Sequence, residues 1–184
     1  MRKLVVSEFV TLAGVIEDPA WTFPFRSEEQ NAFKFAELQA AGAQLLGRVT
    51  YEGLAAAWPR MAEQTGEYGA MMNGYPKYVA STTLERAEWN ASLLRGDLAE
   101  EITKLKAQPG RDILVFGSGR LVETLLRHEL VDEYRLLVFP VVLGRGRRLF
   151  PEGLAITLGL VEAKPFSSGV VSLTYRPAAR EGER

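Results

Sequence analysis

The sequence predicts one α/β domain in which helices flank a mostly parallel sheet, with an antiparallel edge at the C-terminal end. Strand-like runs alternate with helix-like segments along most of the chain, which is the pattern of β-α-β units. Residues 112–116 form a nearly continuous apolar run, typical of a strand covered on both faces. The final fifth is rich in strand-forming residues, which favours an antiparallel addition to the sheet.

The length and composition limit the possible functions. The 184 residues are 47% apolar, enough for one substantial core, so we expect a single domain over residues 1–176 and a loose charged tail over 177–184. With 22 basic and 23 acidic residues, the net charge of -1 gives no general attraction to nucleic acid or to a membrane surface. Without an apolar signal segment or an 18-residue apolar run, the chain is expected to be soluble and cytoplasmic. It has no cysteine and one histidine, so we expect no disulfide and no metal site.

The first third of the chain predicts strands and helices around one irregular loop. Residues 3–12 are rich in β-branched side chains and predict a strand, and the segment that follows, through Pro24, predicts an active-site loop. Trp21 and its aromatic neighbours in this loop either pack against the core or a second subunit, which we favour, or line a substrate pocket. The next predicted elements are an amphipathic helix over 27–41, a strand over 43–46 and a helix from Gly47 to near Trp58.

The rest of the chain continues the alternation. Residues 60–75 are mixed in character and interrupted by glycines. The elements predicted after them are strands over 77–82 and near Trp89, a helix over 98–105, a strand over 112–116, a helix opened by Gly117, strands over 133–142 and 170–176, and a basic loop over 144–148. His128 is interpreted as the end of its helix rather than as a catalytic group.

The most informative local pattern is a strand that turns through Gly47 directly into a helix. The first N–H groups of such a helix point at one place and carry a partial positive charge, which suits a phosphate. Arg48 would add a charged contact and Thr50 a hydroxyl donor. The alternative is that Thr50 simply caps the helix.

A second strand-glycine-helix junction occurs at Gly117, Ser118 and Gly119, and Arg120 follows it. Both junctions are expected at the carboxyl edge of the parallel sheet, where they could share one diphosphate. Val122 stands where the dinucleotide fingerprint has a third glycine, so the motif is incomplete. Close packing of helix on strand explains the same glycines.

Hydroxyl and arginine clusters supply two further candidates. Ser81 and Thr82 end a predicted strand, and they either bind the phosphate on an adenosine ribose or form an ordinary turn. Arg145 belongs to the basic loop, and it either binds a substrate phosphate or is a solvated charge.

Five motifs, taken in chain order, resemble the dihydrofolate reductase superfamily. Within it, they are most similar to the C-terminal reductase domain of riboflavin biosynthesis and to its stand-alone bacterial relatives. The motifs are Leu46-Gly47-Arg48-Val49-Thr50-Tyr51-Glu52, residues 78–84, Phe116-Gly117-Ser118-Gly119, residues 131–134, and the pattern from Phe139 to Phe150 that contains Pro140, Leu143, Gly144 and Gly146. Together they extend over most of the chain.

This resemblance implies a dihydrofolate-reductase-like mixed sheet, NADPH as the cofactor and a homodimer. It implies hydride transfer to a pteridine-, pyrimidine- or ribosylamine-like molecule, as in the 5-amino-6-(5-phosphoribosylamino)uracil reductase of riboflavin biosynthesis. The cofactor-binding set would be Gly47, Arg48, Thr50, Ser81, Thr82, Gly117, Ser118, Gly119 and Arg120. Apart from the resemblance, Trp21 and Arg145 are the candidates for contact with the substrate.

The chain departs from this family at Ala13. Relatives usually carry an aspartate where this chain has Ala13, and a methyl group cannot supply a proton. Glu17 or Asp18 could replace that carboxylate, water could supply the proton, or the substrate could differ. The alternative function is a nucleotide- or flavin-binding module of the same fold without turnover.

Overall fold

The computed structural model describes residues 1–179, which form one eight-stranded sheet with helices on both faces. The strand order is β4-β3-β2-β5-β1-β6-β8-β7. The strands are Leu4–Thr11 (β1), Ala41–Gly47 (β2), Lys77–Ala80 (β3), Ala91–Leu94 (β4), Asp112–Phe116 (β5), Glu133–Phe139 (β6), Leu158–Pro165 (β7) and Val171–Pro177 (β8). The α-helices are Glu28–Ala40 (α1), Arg48–Ala57 (α2), Gly66–Gly74 (α3), Leu98–Ala107 (α4) and Gly119–Arg127 (α5), and 3-10 helices cover Pro19–Phe25 and Trp58–Met61.

The predicted fold class is confirmed. Strands β1 to β6 pair in parallel, whereas β8 runs antiparallel to β6 and β7 antiparallel to β8. The nearly continuous apolar run of β5 is buried because helices cover both faces of the sheet: Ile102 of α4 and Val122 of α5 pack on one, and Leu38 of α1 and Met72 of α3 on the other. Burying each such side chain stabilises the fold by about 1.5–3 kcal/mol.

Several predicted elements need correction. Residues 66–74 form α3, and β7 is a further strand that was not predicted. The strand predicted to continue to residue 142 ends at Phe139, because Pro140 cannot donate a ladder hydrogen bond. The inward face of α1 is mixed rather than apolar throughout. Leu38 and Phe33 pack in hydrophobic clusters as predicted, but Gln30 and Glu37 are also buried. Pro177 is the last residue of β8, and residues 180–184 of the predicted tail lie outside the described part of the chain.

The parallel strands bring their carboxyl ends to one edge of the sheet. There β5 ends at Phe116, which pairs with Ser7 in the middle of β1. From Glu8 to Thr11, β1 keeps β6 as its partner but has no neighbour on the β5 side. This step in the sheet opens a cavity beside the centre of β1.

Candidate functional site

A cleft of about 1240 Å³ lies at the carboxyl edge of the parallel strands. Its walls come from the segments that follow β1, β2, β3 and β5, and from α1 and α3. Open α/β sheets bind their ligands at this edge. All nine predicted cofactor-binding residues line the cleft: Gly47, Arg48, Thr50, Ser81, Thr82, Gly117, Ser118, Gly119 and Arg120.

The two glycine bends lie directly against each other. The Gly47 N–H donates to Ser118 Oγ at 2.9 Å, and the Ser118 hydroxyl donates to the Phe116 carbonyl at 3.1 Å. A Cβ at Gly117 would lie 3.3 Å from Thr50 Oγ1, and residues 117 and 118 have φ values of 52° and 62°. The close approach and the positive φ explain the glycine at 117, and the contact between the bends places the starts of α2 and α5 side by side.

Neither helix start is capped by a side chain. Gly47 is the N-cap of α2 and Ser118 that of α5, and neither makes a side-chain capping hydrogen bond. Thr50 is the third residue of α2, so the interpretation of Thr50 as the N-cap is wrong. Two sets of first-turn N–H groups thus begin at the cleft with their donors available to an anion.

The hydroxyl cluster forms a braced turn beside these helices. Ser81 Oγ accepts from the N–H groups of Thr83 at 3.2 Å and Leu84 at 3.1 Å, as the turn interpretation predicts. Arg95 donates to the Leu84 carbonyl at 3.0 Å and also lines the cleft. Thr82 is exposed at the wall, so this turn presents a hydroxyl and a guanidinium close together.

Of the basic loop, Arg147 lines the cleft and Arg145 does not. A Cβ at Gly119 would lie 2.4 Å from Arg147 Cδ, so the Arg147 side chain crosses the start of α5. Arg147 also lies 3.8 Å from Glu123. Arg145 is exposed outside the lining, and the placement therefore favours Arg147 as the substrate-side cation.

The candidate acids of the loop, Glu17 and Asp18, both line the cleft. The Glu17 carboxylate accepts the backbone N–H of Arg147 at 3.1 Å, which joins the two loops. Trp21 lies outside the lining: its indole donates to the Glu17 carbonyl at 3.1 Å and its ring packs edge-on against Phe139, with centroids 5.4 Å apart. This placement agrees with the packing role that the sequence favoured for Trp21.

Sequence reasoning missed a polar group at the floor of the cleft. Glu8 and Lys34 both line it, and the Lys34 ammonium donates to Ser7 Oγ at 2.7 Å and forms an ion pair with Glu37. Burial raises the pKa of Glu8 well above its usual range, and the charge of Glu37 adds to the effect while Lys34 opposes it. A carboxylate between strand-forming residues of β1 was the available signal.

An apolar wall faces these polar groups. Trp58, Tyr68 and Met72 line it, and the rings of Trp58 and Tyr68 lie 5.5 Å apart. Burial, with a smaller effect from the charge of Glu37, raises the pKa of Tyr68 to about 12, so this phenol stays neutral at physiological pH. Flat apolar walls with a few polar groups suit a planar heterocycle.

Comparison with solved structures defines the fold class as dihydrofolate-reductase-like. Dihydrofolate reductase from Enterococcus faecalis, complexed with NADP(H), aligns with a TM-score of 0.64 at 16% identity, over 96% of this chain and 97% of that one. A protein from Shewanella sp. PV-4, provisionally named a riboflavin biosynthesis protein, aligns with a TM-score of 0.78 at 21% identity, over 96% and 99% of the two chains.

The family follows from closer matches in sequence. The model of the RibD C-terminal domain matches residues 2–172, and this chain belongs to that family. The uncharacterized protein YyaP of Bacillus subtilis is 31% identical over 177 residues, which are 95% of this chain and 94% of YyaP. A diaminohydroxyphosphoribosylaminopyrimidine deaminase/5-amino-6-(5-phosphoribosylamino)uracil reductase from Thermotoga maritima aligns with a TM-score of 0.69 at 15% identity, over 96% of this chain and 57% of that one. The family resemblance seen in the motifs is thereby confirmed.

Within residues 1–179, no helix has the length and apolar character needed to cross a membrane.

Proposed function

We propose that this chain is an NADPH-dependent reductase that works as a cytoplasmic homodimer. Its substrate would be a pteridine-, pyrimidine- or ribosylamine-like molecule, similar to that of 5-amino-6-(5-phosphoribosylamino)uracil reductase. The observation that carries the proposal is the pair of uncapped helix starts, α2 and α5, which meet at one cleft through the contact between Gly47 and Ser118.

The residues present fit a dinucleotide phosphate. At Gly117 the positive φ and the tight 3.3 Å approach of a Cβ to Thr50 Oγ1 favour glycine, which leaves backbone amides at the bend to form the cradle. The first turns of α2 and α5 would hold the diphosphate, with Arg48 and Arg120 as cations at the rim. The braced turn that contains Thr82, together with the Arg95 side chain that donates to it, would bind the ribose phosphate that distinguishes NADPH from NADH.

The substrate side of the proposal depends on the floor and the apolar wall of the cleft. Trp58 and Tyr68 would hold a flat ring against the polar group at Glu8 and Lys34. When bound, the cofactor would supply hydride, and the protein would position the acceptor carbon and exclude water. The Thermotoga relative, named as a reductase of an aminouracil compound, supports a heterocyclic substrate.

Titration of NADPH binding by its fluorescence tests the cofactor assignment. Arg48→Ala should weaken binding about tenfold, because a charged hydrogen bond contributes about 1.5 kcal/mol or more. Arg60→Ala is the matched control, since Arg60 is exposed and does not line the cleft. Equal NADPH affinity in the two variants would show that the diphosphate does not bind at the start of α2.

The second candidate is a binding module without turnover, and Ala13 favours it. The motif resemblance implies a carboxylate at position 13, which alanine lacks. This candidate rests on that sequence difference alone, because Ala13 does not line the cleft. Following NADPH absorbance with a panel of pterins and riboflavin precursors separates the two candidates. A reductase oxidises NADPH with at least one compound, whereas a module binds NADPH and leaves its absorbance unchanged.

A further inference from the structure

Glu8 occupies an unusual position at the centre of the sheet. It is the first residue of β1 beyond the end of β5, and it lines the cleft. It is only 6% exposed, and its Oε1 has no hydrogen-bond partner among the described residues. A buried carboxyl oxygen without a partner is costly, so the position indicates a group kept for a ligand.

Burial outweighs the charges around Glu8 in setting its pKa, since the opposing effect of Lys34 is smaller than that of burial and Glu37 adds to burial. Lys34, the cation that acts on it, is already held by Glu37 and by Ser7 Oγ. The other charged or titratable side chains that line the cleft are Tyr68 of α3, Glu17 and Asp18 of the loop after β1, Arg48 of α2, Arg95 of the segment after β4, Arg120 of α5 and Arg147 of the basic loop. None of these donates a hydrogen bond to Glu8 Oε1. Burial therefore dominates, and it raises the pKa of Glu8 well above that of an ordinary glutamate.

The loop acids are placed differently from Glu8. Glu17 and Asp18 are both exposed at the cleft wall. The Glu17 carboxylate accepts the Arg147 N–H and so joins the two loops.

We propose that Glu8 is the proton donor of this site, acting on a ring nitrogen or carbonyl oxygen of a bound heterocycle. This inference rests on the proposed function. For a C=N acceptor, the Glu8 O–H bond breaks as an N–H bond forms, and the adjacent carbon gains two electrons and a hydrogen nucleus as hydride from a reduced nicotinamide. The Glu8 carboxylate then regains a proton from water, so one substrate, one reduced nicotinamide and one proton are consumed.

A titration without cofactor tests the protonation and the reach of Glu8. In protein labelled with ¹³C at the glutamate carboxyl carbons, the Glu8 signal is the one absent from Glu8→Gln. At pH 7 this signal should have the ¹³C chemical shift of a neutral carboxylic acid. Saturating 2-aminopyridine, whose ring nitrogen and amino group can both hydrogen-bond to a carboxyl group, should move the chemical shift to that of a carboxylate. An ionised Glu8 in the free protein, or a signal unmoved by the base, overturns the proposal.

Single-turnover NADPH oxidation with a substrate from the panel tests the role itself. Glu8→Gln should slow hydride transfer at least 100-fold, the usual effect of losing a positioned acid, while NADPH affinity stays within twofold. Glu63→Gln, an exposed change outside the cleft, should match the wild type. A Glu8→Gln rate near that of the wild type overturns the Glu8 proposal and leaves the reductase intact. Failure of the wild type to oxidise NADPH with any compound rejects the reductase, and the ¹³C titration then decides whether Glu8 delivers protons to a bound base.

Discussion

At residue 117 the backbone has a φ of +52°, a conformation that glycine adopts without strain. A Cβ there would also lie 3.3 Å from Thr50 Oγ1. Gly117→Ala should therefore lower the unfolding free energy by about 1–2 kcal/mol and weaken NADPH binding, because the two helix starts must move apart. Urea unfolding and the fluorescence titration measure the two effects.

Gly53→Ala is the matched control for that change. Gly53 lies inside α2, and no atom lies within 4 Å of a Cβ built on it. Alanine should raise the stability of the helix there by about 0.5–1 kcal/mol and leave NADPH affinity unchanged. If both glycine variants behaved alike, the contact between the bends would have no role in stability or binding.

The raised pKa of Glu8 predicts a characteristic dependence of stability on pH. Above about pH 4.3 the unfolded chain releases the Glu8 proton while the folded chain keeps it, so the folded state binds more protons. The unfolding free energy should fall as the pH rises from there to the folded-state pKa, by at most about 1.4 kcal/mol per pH unit. Glu8→Gln should remove this slope, so its stability relative to the wild type should rise with pH from about pH 4.3 to the folded-state pKa of Glu8. Parallel unfolding curves for the two proteins across that range would contradict a neutral Glu8.

Three strands are joined at Glu133, at the start of β6. Its carboxylate accepts from Arg135 Nε at 2.8 Å and from Arg176 Nη2 of β8 at 2.9 Å, and Lys3 beside β1 lies 3.5 Å away. Burial alone would raise the pKa of Glu133, but the hydrogen bonds and charge of Arg135, with Arg176 and Lys3, lower it below its usual value. The cluster stabilises the junction between the parallel sheet and its antiparallel edge.

Glu133→Gln should lower the unfolding free energy by about 2–3 kcal/mol at pH 7, because Arg135 would lose its buried partner. Since the folded-state pKa is depressed, this stabilisation is complete above about pH 4.3 and is lost as the pH falls through the folded-state value. Urea unfolding at pH 7 and pH 3 should show the difference shrinking in acid. Glu152→Gln, an exposed change, is the control and should alter stability by less than about 0.5 kcal/mol.

Elements with a strong pattern were predictable, and those that depend on tertiary packing were not. Strand β5 was predicted with its observed bounds, because its apolar run is buried on both faces. Helix α3 was missed because its three glycines, at 66, 69 and 74, have low helix propensity, and its packing through Tyr68 and Met72 decides its structure. Strand β7 was missed because it is mostly exposed and lacks apolar alternation.

The same reasoning explains which site residues could be predicted. Glycine bends such as Gly47 and Gly117 leave a local signature, since the strand, the turn and the helix are adjacent in the sequence. Glu8 and Lys34 come together only because β5 ends beside the middle of β1, which leaves a gap next to the rest of β1, and because α1 turns polar residues toward that gap. That arrangement depends on strand order, which no local pattern reveals. The assignment of the cofactor-binding and loop-acid residues to their ligands stays a prediction.

On the scale of the whole molecule, the sheet has two edges of different character. The β4 edge lies beside the turn proposed to bind the ribose phosphate, whereas β7 forms the opposite edge, beyond the antiparallel strands. Most of β7 is exposed, including Leu160 at 59% and Val161 at 51%. An open edge with apolar side chains is a ready surface for a second sheet.

We expect the chain to be a homodimer that associates through β7. Sedimentation equilibrium should give about twice the 20.4 kDa chain mass, and Leu160→Arg should shift the protein to monomer, because a charge would be buried at the centre of the interface. A second possible association surface consists of the loop aromatics Trp21, Phe23 and Phe25 with residues 140–143, and Val142→Arg tests it separately. Val142 is 73% exposed and follows the end of β6, whereas Leu160 pairs with Tyr175 and so lies level with Tyr134 at the start of β6. The Val142→Arg variant should therefore stay dimeric. A dimer that persists in Leu160→Arg and dissociates in Val142→Arg would place the interface on the loop side. A monomeric wild type would overturn the homodimer proposal but would not affect the proposals about the cleft and its chemistry.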